Sequence, residues 1–419
     1  MNDSAARYDR ASALTLPGGW RMIVAPRPRS TTVALQWMVD AGSRRDGSRP
    51  GVARLTAELV FRAASADRAD PVLAVERLGG EATATTTREY AGFQAVVAAP
   101  QRAALLALIP LLARSPQLAA EALDRARAAI VQEQRARASP SNLLGELLIA
   151  ALWGDTAFAR PTIPPAATLT ALTPEAVAAY HAAHYRPGGT VLAVAGACDV
   201  AEVSAALAAL PSAAPGDEAS PAPLAPPAFV GRGAFHHRAA TDLAYVAVAL
   251  PVPGMAHPDR SALRLLDYVV GRGGSSRLYR ELRERHGLVY TVGSVYMPFA
   301  DVGLFGAQAR CAPERTREVA TLLADGLLAL ASQPPSAAEL RAAQERYAGA
   351  LYRSFEPNAT LASLLAVETL LARWEPFESA VARVLAVTPA ELAAVARRYC
   401  TAERLVQVSV GPLDPRAPG

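Results

Sequence analysis

Ser275-Ser-Arg-Leu-Tyr-Arg-Glu-Leu-Arg-Glu-Arg-His-Gly-Leu-Val-Tyr290 follows a turn marked by Gly271, Gly273 and Gly274. Glycines so closely spaced interrupt a helix, and the hydroxyl of Ser275 or Ser276 can cap a new one. Leu278 and Leu282, at i and i+4, give that helix one apolar face. Gly287 is placed to stop it, and Val289-Tyr290-Thr291-Val292 reads as a strand. A helix, turn and strand in this order can fold Tyr290 back toward Arg283, which lies in the last helical turn.

Outward from this stretch, the chain divides near its midpoint. Pro211-Ser-Ala-Ala-Pro-Gly-Asp-Glu-Ala-Ser-Pro-Ala-Pro-Leu-Ala-Pro-Pro227 has almost no bulky apolar residues, and its prolines favour an extended linker. The expected organisation is a domain over 1–210, a linker over 211–228 and a second domain over 229–419. The halves are related. Leu172-Thr-Pro through Gly196 aligns without gaps on Val387-Thr-Pro through Gly411. Each starts with Thr as N-cap and Pro at the first helical position, runs as a helix, and ends in a short apolar strand and a glycine.

Further strands are predicted at Trp20–Val24, Thr32–Asp40, Tyr90–Ala98 and Ala244–Leu250. Helices are predicted at Gly51–Ala64, Pro71–Leu78, Arg102–Leu112, Ala119–Arg137, Ser261–Gly271, Glu314–Ala331, Ala337–Ser354 and Pro389–Tyr399. Strands and helices come in separate runs rather than in strict alternation. This predicts an α+β fold made of two homologous halves, each a mostly antiparallel sheet with helices packed on it.

Composition removes several function classes. Hydrophobic residues are 51% of the 419, enough for large cores, yet no apolar run is long enough to cross a bilayer. Met1–Arg10 carries acids and no apolar segment, unlike a secretory signal. Cys198, Cys311 and Cys400 are scattered, which fits core positions in a reducing, cytoplasmic setting. All 42 basic residues are Arg, so a catalytic Lys, a Schiff base and a phosphate-loop Lys are excluded. The net charge of +4 is spread along the chain with only 6% aromatics, which does not point to nucleic acid. His181 and His184 lie three apart on one helix without a nearby acid to complete a metal site, and a solvated or capping role is expected for them.

The Ser275–Tyr290 stretch resembles the C-terminal signature of the pitrilysin/insulinase (M16, inverzincin) zinc peptidases. The resemblance implies that Arg283 and Tyr290 contact a substrate peptide. In active members the N-terminal half carries His-x-x-Glu-His on a helix, with a distal Glu completing the site. Here Val39-Asp-Ala-Gly-Ser-Arg-Arg-Asp46 resembles the strand and turn before that helix, and Gly51-Val-Ala-Arg-Leu-Thr-Ala-Glu-Leu-Val-Phe61 resembles the helix. The first His position is then Arg54, the Glu position Ala57 and the second His position Glu58. Glu133 falls at the distal Glu, and Ala126 replaces its companion.

Arg54 cannot ligate a metal and Ala57 cannot activate water. No zinc or other cofactor is therefore expected in this chain. Arg54 and Glu58, at i and i+4, together with Glu133, suggest a guanidinium filling the old metal space. The resemblance then implies a non-catalytic, substrate-binding subunit, with zinc on a homologous partner carrying the metal motif. Peptide processing, such as maturation of a precursor peptide, is the expected role. A structural scaffold without proteolytic function is the alternative.

Overall fold

The computed structural model describes residues 11–62, 70–210, 216–231, 233–371 and 375–416. Met1–Arg10, the last residues of the Gly51–Ala64 helix and the first five residues of the linker lie outside them.

Two sheets form. The first joins β1 (Ser12–Thr15), β2 (Arg21–Pro26), β3 (Thr32–Val39), β4 (Glu81–Thr86), β5 (Ala91–Ala98) and β6 (Thr190–Gly196) in the order β1-β2-β6-β3-β5-β4. The second joins β7 (Gly233–Arg238), β8 (Ala244–Pro253), β9 (Val289–Pro298), β10 (Val302–Cys311) and β11 (Val406–Gly411) in the order β7-β11-β8-β10-β9. The β2–β6 and β7–β11 pairs are parallel and the others antiparallel, so the α+β expectation holds. The repeated segments end in β6 and β11. Thr173 and Thr388 cap their helices as expected, accepting from the amides of Ala176 and Glu391 at 3.3 and 3.2 Å.

Each sheet is covered by helices on both faces. On the first, Leu35 and Trp37 of β3 pack with Leu55 and Leu59 of the Val52–Phe61 helix. Its other face, with Ile23, Met38 and Val191, is covered by Leu361 and Leu365 of the Asn358–Leu371 helix. On the second sheet, Val246 and Val248 pack with Leu263, Leu266 and Leu323. Ala247, Ala249 and Val408 on the reverse face are covered by Leu148 and Trp153 of the Pro140–Trp153 helix.

The compact units do not coincide with the two halves of the sequence. One compact unit is Met1–Arg135, Arg160–Leu224 and Tyr352–Ser379; the other is Ala136–Ala159, Ala225–Leu351 and Ala380–Gly419. Each half of the sequence lends one helix to the unit built mainly by the other half. Neither Pro140–Trp153 nor Asn358–Leu371 was anticipated from sequence. Their apolar residues are spread around the helix, so no amphipathic stripe announces them.

Other departures are local. The helix expected over Arg102–Leu112 divides into Arg102–Leu106 and Ile109–Leu112, because Pro110 lacks the amide that would continue it. After the glycine turn, Ser276 does not cap a helix; its hydroxyl donates to the Gly273 carbonyl at 2.7 Å. The segment Tyr279–Arg285 is wound as a π-helix. Leu282 is buried on it, and Gly287 ends it in the left-handed region at φ +62°.

Candidate functional site

Residues 39–61 build the segment of the first unit where the resemblance expects the metal motif. Asp46 accepts hydrogen bonds from the Gly51 and Ala53 amides at 2.6 and 2.8 Å, satisfying the first donors of the Val52–Phe61 helix. Gly51 is required there: its φ is +89°, and a Cβ would meet Pro164 Cγ at 2.4 Å. Burial pushes the Asp46 carboxyl up to about 6, against the pull of the two amides and Arg160. The folded state therefore holds the proton more tightly than the unfolded chain, and stability falls as pH rises from about 4 through about 6. Asp46→Asn is expected to flatten the unfolding free energy against pH across that window in urea melts. A slope identical to that of the parent chain would show that Asp46 is not the titrating group.

One turn further along, Arg54 occupies the space between two carboxylates. Its Nη1 donates to Glu58 Oε2 at 2.8 Å and its Nη2 to Glu133 Oε2 at 2.5 Å. Burial alone would lower the Arg54 pKa, but Glu58 and Glu133 outweigh it and hold the guanidinium above its ordinary value. The carboxylates are turned onto a permanent cation, which is the pairing expected from sequence. Such a set does not fit zinc, because a guanidinium has no lone pair to give and occupies the space a metal needs. Among the described residues, no three His, Cys, Asp or Glu side chains gather as a metal site requires.

Sequence reading missed Tyr185 beside this cluster. Among the described residues its buried hydroxyl has no hydrogen-bond partner, and burial pushes the phenol well up while Arg54 pulls it down. The one signal available was its alignment with buried Cys400 in the second repeat. His181 and His184 are not solvated as expected. His181 stacks on Tyr185 at 4.7 Å, and His184 lies 4.5 Å from Tyr180, with burial lowering its pKa to about 4. All three cysteines are buried, as expected of core positions.

Arg283 and Tyr290 lie in the second unit, and the structure brings them together. Residue pairing between β9 and β10 shifts at Arg310/Cys311: Thr291 opposes Arg310 and Val289 opposes Cys311. Tyr290 is the extra residue of a β-bulge, a device that re-aims a side chain and interrupts the ladder. Its side chain is 79% exposed. Its carbonyl, outside the ladder, accepts from Arg283 Nη1 at 2.6 Å.

The Arg283 guanidinium lies 4.8 Å from the Tyr290 ring and 5.2 Å from the Tyr279 ring, held between two aromatic faces. Tyr279 was not singled out from sequence, although it stands four residues before Arg283, a spacing that makes neighbours on a helix. Glu281 does not compete: it pairs with Arg285 at 2.8 Å and His286 at 3.1 Å. Arg277 is bound to Glu339 at 2.8 Å, a bond that helps hold that carboxyl down at about 2. Arg283 has no acidic partner among the described residues. Its remaining N–H groups and the Tyr290 hydroxyl stand together at the edge strand β9 as donors to a carbonyl or an oxyanion.

Known proteins resemble the chain over nearly its whole length. Residues 21–166 match the family model for insulinase (peptidase family M16), and residues 171–347 match that for the peptidase M16 inactive domain. A Streptomyces coelicolor protein described as an uncharacterized zinc protease is 30% identical over 95% of this chain and 89% of its own length. Cytochrome b-c1 complex subunit 1 of Bos taurus mitochondria is 25% identical over 71% of this chain and 64% of that protein. Among solved structures, a peptidase M16 inactive domain from Pseudomonas fluorescens superposes with a TM-score of 0.86 at 22% identity, covering 98% of this chain and 100% of that one. At that identity the superposition speaks for the fold alone. With two family models matched along the chain, one of them that of the inactive domain, and with the sequence match to the Streptomyces protein across nearly its whole length, the chain belongs to peptidase family M16 and is of the inactive type.

Proposed function

We propose that this chain is the substrate-binding, non-catalytic subunit of a two-chain zinc peptidase. Arg283 and Tyr290 would hold the peptide, and a homologous partner would supply the metal. The observation that carries this reading is the Arg283–Tyr290 arrangement. A cation fixed by a carbonyl and two rings, with donors left over beside an exposed phenol, is costly to keep at a surface that binds nothing. It is suited to orient a peptide carbonyl and to donate to the charge that develops on it. The Arg54–Glu58–Glu133 cluster supports the assignment of the metal to another chain. The peptide class is that of extended or unfolded segments, such as a precursor awaiting maturation.

The test is purification of the chain alone and with a homologue that carries His-x-x-Glu-His. Peptide hydrolysis is expected from the pair and absent from the single chain. Hydrolysis by the single chain would overturn the proposal.

The bovine relative, a respiratory-complex subunit by its name, favours a second reading in which this chain is an assembly scaffold. That reading predicts that Arg283 and Tyr290 can be replaced without effect on any activity of the complex.

A further inference from the structure

We propose that a cavity beside Tyr290 is a carboxylate-binding subsite organised by Arg310. It would select a peptide with an acidic residue, or a free C-terminal carboxylate, next to the part held by Arg283 and Tyr290. The peptide part of this inference rests on the proposed function; the carboxylate site is testable without it.

The cavity follows from strand register. Along β10, Ala309 and Cys311 belong to the core on one face of the sheet. Gln308 and Arg310 alternate with them and so stand on the opposite face, the one crossed by the Pro140–Trp153 helix. Arg310 sits between Tyr245 of β8 and Thr291 of β9, while Gln308 sits between Ala247 and Gly293. The second row thus presents small residues on both sides of Gln308. Ser141 and Leu144 border the space from the helix. A cavity of about 290 Å³ remains, large enough for one side chain.

Arg310 is the charged group of this cavity, and no acid lines it. Its Nε donates to the Thr291 hydroxyl at 2.9 Å, which orients the guanidinium plane. Among the described residues no carboxylate pairs with its Nη1 and Nη2. Two parallel N–H groups in a fixed plane are the pattern that receives a carboxylate in bidentate fashion. The bulge places Tyr290 directly before Thr291, so a peptide lying along β9 against Tyr290 would pass the cavity mouth.

The test uses the full chain and three small probes, followed by ligand-observed NMR titration. N-acetylglutamate amide carries a side-chain carboxylate, N-acetylglutamine a terminal one, and N-acetylglutamine amide none. One or both carboxylate probes are expected to bind about tenfold more tightly than the neutral probe, the factor that a charge-assisted hydrogen bond supplies. Which of the two binds better identifies the source. Arg310→Met is expected to erase the preference, and Arg283→Ala to leave it. Equal affinity or no binding for all three probes, or a preference that survives Arg310→Met, overturns the subsite.

A labelled peptide pair differing by one Glu→Gln change, followed by fluorescence anisotropy, separates the two proposals. Arg283→Ala is expected to weaken both peptides and Arg310→Met only the Glu form. If Arg283→Ala weakens neither while the small-probe preference holds, the peptide-holding reading fails and the carboxylate site stands.

Discussion

In the complex with a zinc-bearing partner, Arg283→Ala is expected to lower kcat/KM by about 10²–10³-fold, the range found when a donor to a developing oxyanion is removed. Tyr290→Phe keeps the ring that flanks the Arg283 guanidinium and removes only the hydroxyl, so a smaller loss of about tenfold is expected, the worth of one hydrogen bond to a charged group. Neither change should alter folding. Arg283 is half-exposed and bonded to one carbonyl, and Tyr290 is 79% exposed. Initial rates on a peptide substrate, with unfolding temperature as control, are the measurement. Wild-type rates from both variants would leave the scaffold reading in possession of the data. A loss of rate together with a large fall in unfolding temperature would indicate that Arg283 braces the bulge rather than the substrate.

The second large effect is on stability. Arg54→Met would leave Glu58, whose side chain is 9% exposed, facing the carboxylate of Glu133 without the cation between them. The half-exposed Arg62, 4.0 Å from Glu58, would remain on that side. Breaking a buried ion pair by removing one partner costs about 3 kcal/mol or more, because the surviving charge stays desolvated. The triple change Arg54→Met, Glu58→Leu and Glu133→Met removes both charges as well, and is expected to recover most of that loss. Urea unfolding of the two variants decides the matter. A triple variant as unstable as the single one would show that packing, rather than charge, dominates at this position.

Zinc binding needs lone pairs aimed at one point; an Arg–carboxylate cluster fills the same space with matched charge. Arg54 is stabilising at this position only because Glu58 and Glu133 face it.

Much of this was legible from residue order. The Thr-Pro helices and the strands that follow them depend on capping and on proline at the first helical position, both local effects. The Arg54–Glu58 pair needs only helical spacing. Addition of Glu133 needed the family resemblance, because it lies on another helix. The helix exchange was not legible, since Pro140–Trp153 and Asn358–Leu371 are apolar nearly all round and their composition does not name the sheet they cover. The loss of the Ser276 cap went unseen for a related reason: a hydroxyl can serve a turn carbonyl as readily as a helix amide, and neighbouring packing chooses between them.

By itself the sequence determined the two related α+β halves, the Arg54–Glu58 pair and the proximity of Arg283 to Tyr290, because each depends on local spacing or residue type. Only the tertiary structure decided which helix covers which sheet, and how that Arg–Tyr pair is held. The bulge at Tyr290 and the cavity at Arg310 depend on pairing between β9 and β10 and on a helix distant in the chain. Register and packing of that kind are settled between segments, where no single segment carries the information.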